Sequence, residues 1–526
     1  MTGYKLSCTP RTASAAATRS RRRALTVISC LLYTSDAADL RLTVTAVVFS
    51  AAISAAATID FKIGATLSLS FLLAAAAMLA HRSRQLPAFD QSAVVVLVAV
   101  NFLNLSDSLI KFGGYPSINK VLVPGLALYC VYRYLSKKIV APGLISAICI
   151  SIVIYVAISA SILGSHHPET VSEGLRLLRK DLLMMIVLVA LITRKEDLVL
   201  ACYAIVFSAA FLSLIGIYNF ISENPGQQFM GLGRWVYHLD GNGISDLRIA
   251  GPLGDPNFFA QILVLAFPIS IYLVASSKAA ASNLSGVART CFCGIAMVLI
   301  VSCIFATQSR GGLLALLIIA MVSGVGYLKT AKARIVSVLL VGLAAVSIVF
   351  AAAGNLSTRL NDGIESVRAI TQGEAIRDEA ILGRYHEMLV AGRMAYENPL
   401  FGVGYNSYSR HYQNYAIKQG LSVRGHDRSS HSLPLEMAAE QGLFGILIFC
   451  AIVLMLFRRC GVLVQLSEAS KDADVQNLVK AIALGLLGYL TASILLHDAF
   501  QRYLWLYLGL VIAATQISYQ LKPKVN

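Results

Sequence analysis

The chain has 526 residues, 57% of them hydrophobic and 14% charged, with a formal net charge of +16. Apolar runs near 20 residues recur along it, long enough to cross a bilayer as helices, and this excludes a soluble globular protein. The positive charge does not make it a nucleic-acid binder, because the basic residues sit in short connections between apolar segments and read as topology signals.

In chain order, Arg21-Arg22-Arg23 ahead of Ala24 to Leu32 resembles a signal peptide, and Val27-Ile28-Ser29-Cys30 a lipobox. Cys30 to Asp39, however, reads as the translation of a sequencing-library adapter, so residues 1–39 are expected to be no part of the natural protein. Fourteen apolar segments then follow, at 42–59, 63–80, 92–110, 118–135, 139–163, 177–193, 197–221, 257–276, 288–307, 311–328, 334–353, 433–457, 478–497 and 501–520. They divide the chain into N-terminal transmembrane helices (40–221), a first polar loop (222–256), central transmembrane helices (257–353), a large polar loop (354–432) and C-terminal transmembrane helices (433–526). The expected fold class is an all-α polytopic membrane protein of about 12–14 transmembrane helices, with two long periplasmic loops, the second partly helical. None of the ten cysteines lies in either long loop, so neither a disulfide framework nor a zinc spacing is implied.

With the N-terminus inside, the cytoplasmic connections receive seventeen Lys and Arg, among them Arg133, Arg194, Lys195 and Arg458, and the short outer ones seven. This excess places both termini in the cytoplasm and both long loops outside. Three of the seven outer basic residues cluster in Glu173 to Lys180, expected as an amphipathic helix along the interface. Most spans lack ionisable residues, which argues against a secondary transporter, and no phosphate loop or zincin motif is present. Chemistry or binding is therefore expected at the outer membrane–water boundary.

The large loop turns into an apolar helix at Arg428-Ser429-Ser430-His431-Ser432-Leu433-Pro434. Ser432 suits an N-cap and Pro434 a first turn, so His431 sits at a helix N-terminus, whose dipole favours neutral imidazole, the form that accepts a proton. Three arginines accompany it. Arg310, in Thr307-Gln308-Ser309-Arg310-Gly311-Gly312, occupies a tight turn, as a site residue or as an anchor to lipid headgroups. Arg384 begins a helical stretch running to Asn398, as a site residue or as a surface salt bridge with Glu387 or Asp378. Arg248 precedes Asp255-Pro256, which reads as an N-cap and first-turn pair, and divides evenly between function and fold. Glu436 and Glu440, four apart on one helical face, either orient an arginine and line the cleft or pack as polar groups. Tyr385, Tyr396, Tyr405, Tyr408, Tyr412 and Tyr415 either stack on sugars or form an interfacial belt.

His431-Ser432, nine residues, Gly442, two residues and Gly445 match the His-(Asn/Ser/Gln)-x9-Gly-x-x-Gly pattern of the bacterial O-antigen ligase family. The Ser-Arg-Gly-Gly turn, the Gly383-Arg384 start and the Asn398-Pro399-Leu400-Phe401-Gly402-Val403-Gly404 run also occur in that family's order. The chain thus resembles the O-antigen ligase and polymerase-like superfamily over roughly residues 240–450. The resemblance implies that Arg310, Arg384 and His431 are the catalytic residues, with Arg248, Glu436, Glu440 and Tyr405 as candidate substrate contacts. It implies a glycan donor on undecaprenyl diphosphate, a lipid A-core or growing polysaccharide acceptor, contact with membrane lipids, and no nucleotide, metal or other cofactor. The location it implies is the bacterial inner membrane with the site facing the periplasm. Polymerase, protein O-oligosaccharyltransferase and, in a different class, lipid-glycan transporter are the alternatives. Arginines suit a diphosphate leaving group through bidentate contacts, and a histidine suits deprotonation of an acceptor hydroxyl.

Overall fold

The computed structural model describes residues 86–108, 117–137, 140–222, 228–240, 243–277, 284–327, 368, 379–421, 425, 428–469, 472–497 and 501–520. The expected segments at 42–59, 63–80 and 334–353, and the adapter reading of residues 1–39, lie outside the described residues. The other eleven apolar segments all fall on helices. These are α1 (Leu86–Phe102), α2 (Asn119–Lys137), α3 (Leu144–Ser159, continued by a 3-10 turn to Gly164), α4 (Pro168–Leu191), α5 (Lys195–Ser222), α6 (Pro256–Ser277), α7 (Leu284–Ala306), α8 (Arg310–Tyr327), α11 (Leu433–Ala469), α12 (Ala473–Ser493) and α13 (Gln501–Gln520). The large loop supplies α9 (Glu379–Glu397) and α10 (Tyr408–Lys418).

Five of the described helices are long and apolar enough to cross a bilayer: Leu144–Gly164, Lys195–Ser222, Pro256–Ser276, Leu433–Glu468 and Ala473–Ser493. The protein is a multi-pass, all-α membrane protein. Helix α6 is its axis, packed on α5, α7, α8 and α12 and buried nearly all round, as a helix without a polar face must be. Its interior Pro268 is tolerated because neighbouring helices enclose the freed carbonyl.

The helix ends sort into two sets. At one end the buried Arg133 pairs with Asp90 at 2.8 Å and donates to the Ala190 carbonyl, while Lys195 meets Asp474 at 2.6 Å. At the other lie the start of α6, the α7–α8 turn, the start of α11 and the α12–α13 connection. Both long loops enter from this second end.

Two segments differ from expectation. Glu173 to Lys180 is the first half of α4, continuous with the apolar half that follows and not a separate interfacial helix. Nearly half of the first loop folds into an antiparallel hairpin, β1 (Arg234–Asp240) and β2 (Gly243–Gly251). An isolated hairpin is marginal in water; this one is held because Arg248, Ile249 and Ala250 are buried against the helices.

Candidate active site

His431 stands immediately before α11 with φ 52°, a left-handed conformation that costs a β-carbon residue about 1–3 kcal/mol and must be imposed by its surroundings. The constraint is visible on both sides. Ser430 Oγ lies 2.9 Å from both the Ser432 carbonyl and Glu436 Oε2, and the Leu433 N–H donates to the Leu496 carbonyl at 2.7 Å. This last bond ties the start of α11 to the α12–α13 connection and brings His497 edge-on to His431, with ring centroids 5.3 Å apart. Phe258, in the first turn of α6, closes on His497 at 5.0 Å.

Helix α9 delivers two residues one turn apart, Arg384 and Glu387. Glu387 is buried; its Oε2 lies 3.3 Å from His431 Nε2 and its Oε1 lies 3.6 Å from Arg428 Nη1. It is therefore no surface partner. The His431 pKa is pushed down to about 3, first by burial and then by the charges of Arg384, His497 and Arg428. Imidazole is neutral here chiefly because burial removes most of its water, with the helix dipole expected from the sequence not needed as the cause. Burial pushes His497 down to about 4, with Asp255 opposing and Arg384 adding to the effect.

Arg310 enters from the α7–α8 turn. Ser309 Oγ accepts from the Gly312 N–H at 3.3 Å, so Ser309 caps α8 and Arg310 is its first residue. A β-carbon on Gly312 would collide with Ala260 on α6, and one on Gly311 would lie 3.8 Å from Leu495 Cβ. The Ser-Arg-Gly-Gly turn is thus pressed against α6 and against the connection that carries His497. Arg248 holds it there: Nε donates to the Thr307 carbonyl at 3.0 Å, and Nη2 to the Gln308 carbonyl at 3.3 Å and to Asn257 Oδ1 at 3.4 Å. As expected, Asp255 caps α6, accepting from the Asn257 N–H at 2.7 Å.

The structure brings Arg384, Glu387, Arg428 and His497 around His431, and packs the turn that carries Arg310 against the connection that carries His497. Glu440 and Tyr405 stand apart. Glu440 is buried, with Oε2 taking the Asn406 N–H and Oε1 the Tyr408 N–H, both at 2.8 Å, so it caps α10. Tyr405 is buried as well, its hydroxyl 2.7 Å from Gln501 Oε1 and its N–H on Ser161 Oγ. Tyr408, Tyr412 and Tyr415 are neither a sugar platform nor a lipid belt; with Val390, Met394 and Val403 they form the core of the outer layer. Of the six tyrosines Tyr396 is the exposed one. No group of three or more His, Cys, Asp or Glu among the described residues is placed to hold a metal ion.

The glycine pattern has a backbone explanation. Gly442, at φ 64° and ψ −166°, breaks α11 between its second and third turns and strips the ladder of partners. The Asn398–Gly404 run supplies them: Val403 and Gly404 N–H donate to the Ala439 and Glu440 carbonyls, and Leu443 and Phe444 N–H to those of Pro399 and Leu400, at 2.8–3.2 Å. A β-carbon at Gly402 would overlap the main chain of Ala439 and Glu440, and one at Gly442 that of Leu400.

Residues 295–450 match the family model described as O-antigen ligase. The chain is similar to the O-antigen ligase family over this span. No curated protein matches the chain. The matched span contains Arg310, Arg384, Glu387, Arg428 and His431; Arg248, Asp255 and His497 lie outside it. The matched family is of glycosyltransferase type. His497 escaped the sequence reading because it ends an apolar run and looks like that run's last polar residue, although His431 borders its helix in the same manner.

Proposed function

We propose that the protein transfers a glycan from undecaprenyl diphosphate to an acceptor hydroxyl of lipid A-core, at the periplasmic face of the inner membrane, without metal or nucleotide. The observation that carries the reading is a neutral, largely buried imidazole within electrostatic reach of Arg384 and Arg428, with the turn that carries Arg310 packed against the same α12–α13 connection, inside the span that matches the O-antigen ligase family. The acceptor O–H gives its proton to His431 as its oxygen attacks the anomeric carbon. The bond from that carbon to the diphosphate oxygen breaks, and the electron pair leaves with the diphosphate. Attack opposite the leaving group inverts the anomeric carbon. The arginines hold the diphosphate and absorb the charge that grows on it, an effect larger in a water-poor corner than in bulk. Arg248 and Glu440 position the turn and the helix around the site. The same groups would serve a polymerase or a protein O-oligosaccharyltransferase; the acceptor distinguishes them.

The test is purified full-length protein in lipid, with synthetic polyprenyl-diphosphate donor and lipid A-core acceptor, chelator present and nucleotide omitted. Product is expected under these conditions. Transport of intact donor without transfer, or strict dependence on added divalent metal, contradicts the proposal.

The orientation rests on the excess of Lys and Arg in the inner connections, with Arg133 and Lys195 at the end opposite His431. In a cysteine-less background, Asn414→Cys on the exposed face of α10 should react with a membrane-impermeant thiol reagent in cells stripped of the outer membrane, while Glu468→Cys should not. The reverse pattern inverts the topology.

A further inference from the structure

The His431 ring presents two different nitrogens to the protein. Nε2 faces Glu387 Oε2 at 3.3 Å, whereas Nδ1 is buried and makes no hydrogen bond within the described residues. The Glu387 side chain is 2% exposed and its other oxygen lies 3.6 Å from Arg428 Nη1, an ion pair that favours the carboxylate over the acid. A carboxylate oxygen repels a bare nitrogen lone pair and attracts an N–H, so the ring meets Glu387 with Nε2–H and leaves its lone pair on Nδ1. The position of Glu387 is itself fixed, because Tyr408 Oη donates to its carbonyl at 2.7 Å while the Tyr408 N–H is held by Glu440.

We propose that Glu387 is a positioning residue that selects the Nε2–H tautomer of His431, leaving Nδ1 as the ring nitrogen whose lone pair can take a proton. This rests on the general-base reading of His431. When Nδ1 is protonated the ring becomes a cation with Nε2–H still facing the carboxylate, so the charge that forms is met by one already in place; the proton leaves afterwards to water. The charged and titratable groups around the ring are Arg384 and Glu387 from α9, Arg428 from the preceding segment, Glu436 from α11, His497 from the α12–α13 connection and Asp255 beyond it. Burial, with Arg384, His497 and Arg428 adding to it, is how a histidine beside a carboxylate stays neutral in the free site.

The decisive measurement is a nitrogen NMR spectrum of full-length protein in lipid, labelled with 15N-histidine and assigned by loss of signal in His431→Gln. At pH 7 Nε2 is expected to show the shift of a protonated ring nitrogen and Nδ1 that of a bare one. The opposite assignment overturns the proposal whatever the activity. Glu387→Gln, which keeps the shape and removes the charge, should lower kcat roughly ten- to a thousandfold with donor KM near wild type, and Glu387→Asp should recover part of the loss. Unchanged kcat in Glu387→Gln also overturns it. Should His431→Ala transfer at the wild-type rate, the general-base reading fails, while the proton's place on the ring is still decided by the spectrum.

Discussion

His431→Ala is expected to bind the polyprenyl-diphosphate donor almost as tightly as wild type and to lose transfer by about two to four orders of magnitude. The arginines that hold phosphate are untouched by the substitution, and what disappears is the acceptor of one proton. The pH dependence has a definite sign. With its pKa pushed down to about 3, His431 is already neutral throughout the physiological range, so kcat/KM, which reports the free enzyme, should show no acid limb from this group between pH 5 and 8. A bound diphosphate brings negative charge beside the Arg384 and Arg428 cations that hold the value down, so the limb seen in kcat should lie at higher pH than the one in kcat/KM. For stability the same shift acts the other way: as pH falls below the unfolded value near 6.5, the unfolded chain binds a proton the folded one refuses, and folding weakens. Full transfer by His431→Ala in the reconstituted assay would remove the base from the mechanism.

Arg384→Ala and Arg310→Ala should each lose both donor binding and turnover, by at least a hundredfold in kcat/KM, and Lys at either position should restore little, because a point charge cannot reproduce a bidentate fork. The two differ in a way that can be read. Arg384 depresses both His431 and His497, so Arg384→Ala should shift His431 titration upward in the NMR spectrum. Arg310 is the first residue of α8, where the backbone N–H groups and the helix dipole add to its own charge, so part of the anion attraction should survive in Arg310→Ala. Donor affinity by calorimetry in nanodiscs separates binding from chemistry; wild-type affinity in both alanine variants removes the arginines from phosphate binding.

The helices of the membrane layer were legible because hydropathy over a 20-residue window carries nearly all the information about a span. The outer layer was not. Tyr408, Tyr412 and Tyr415 lie in a polar stretch where tyrosine looks like surface, and only the packing of α9 on α10 and α11 turns them inward. Arg248 and Glu440 show a second limit. A charged side chain in a motif announces that charge is wanted, but the sequence does not say that a neighbouring carbonyl or N–H will take it. Glu387 shows a third: its spacing from Arg384 put both on one helical face without saying that the face is buried.

The break at Gly442 bears on how such a protein can change its acceptor. The attachment between the outer layer and α11 includes four main-chain hydrogen bonds, and a backbone bond is indifferent to the side chains around it provided the glycines remain. Residues on the exposed faces of α9 and α10, such as Arg393, Tyr396, Arg410, Asn414 and Lys418, are therefore open to substitution by drift or selection while the scaffold keeps the imidazole where it is. Evolution can rewrite which molecule approaches without renegotiating where the chemistry happens.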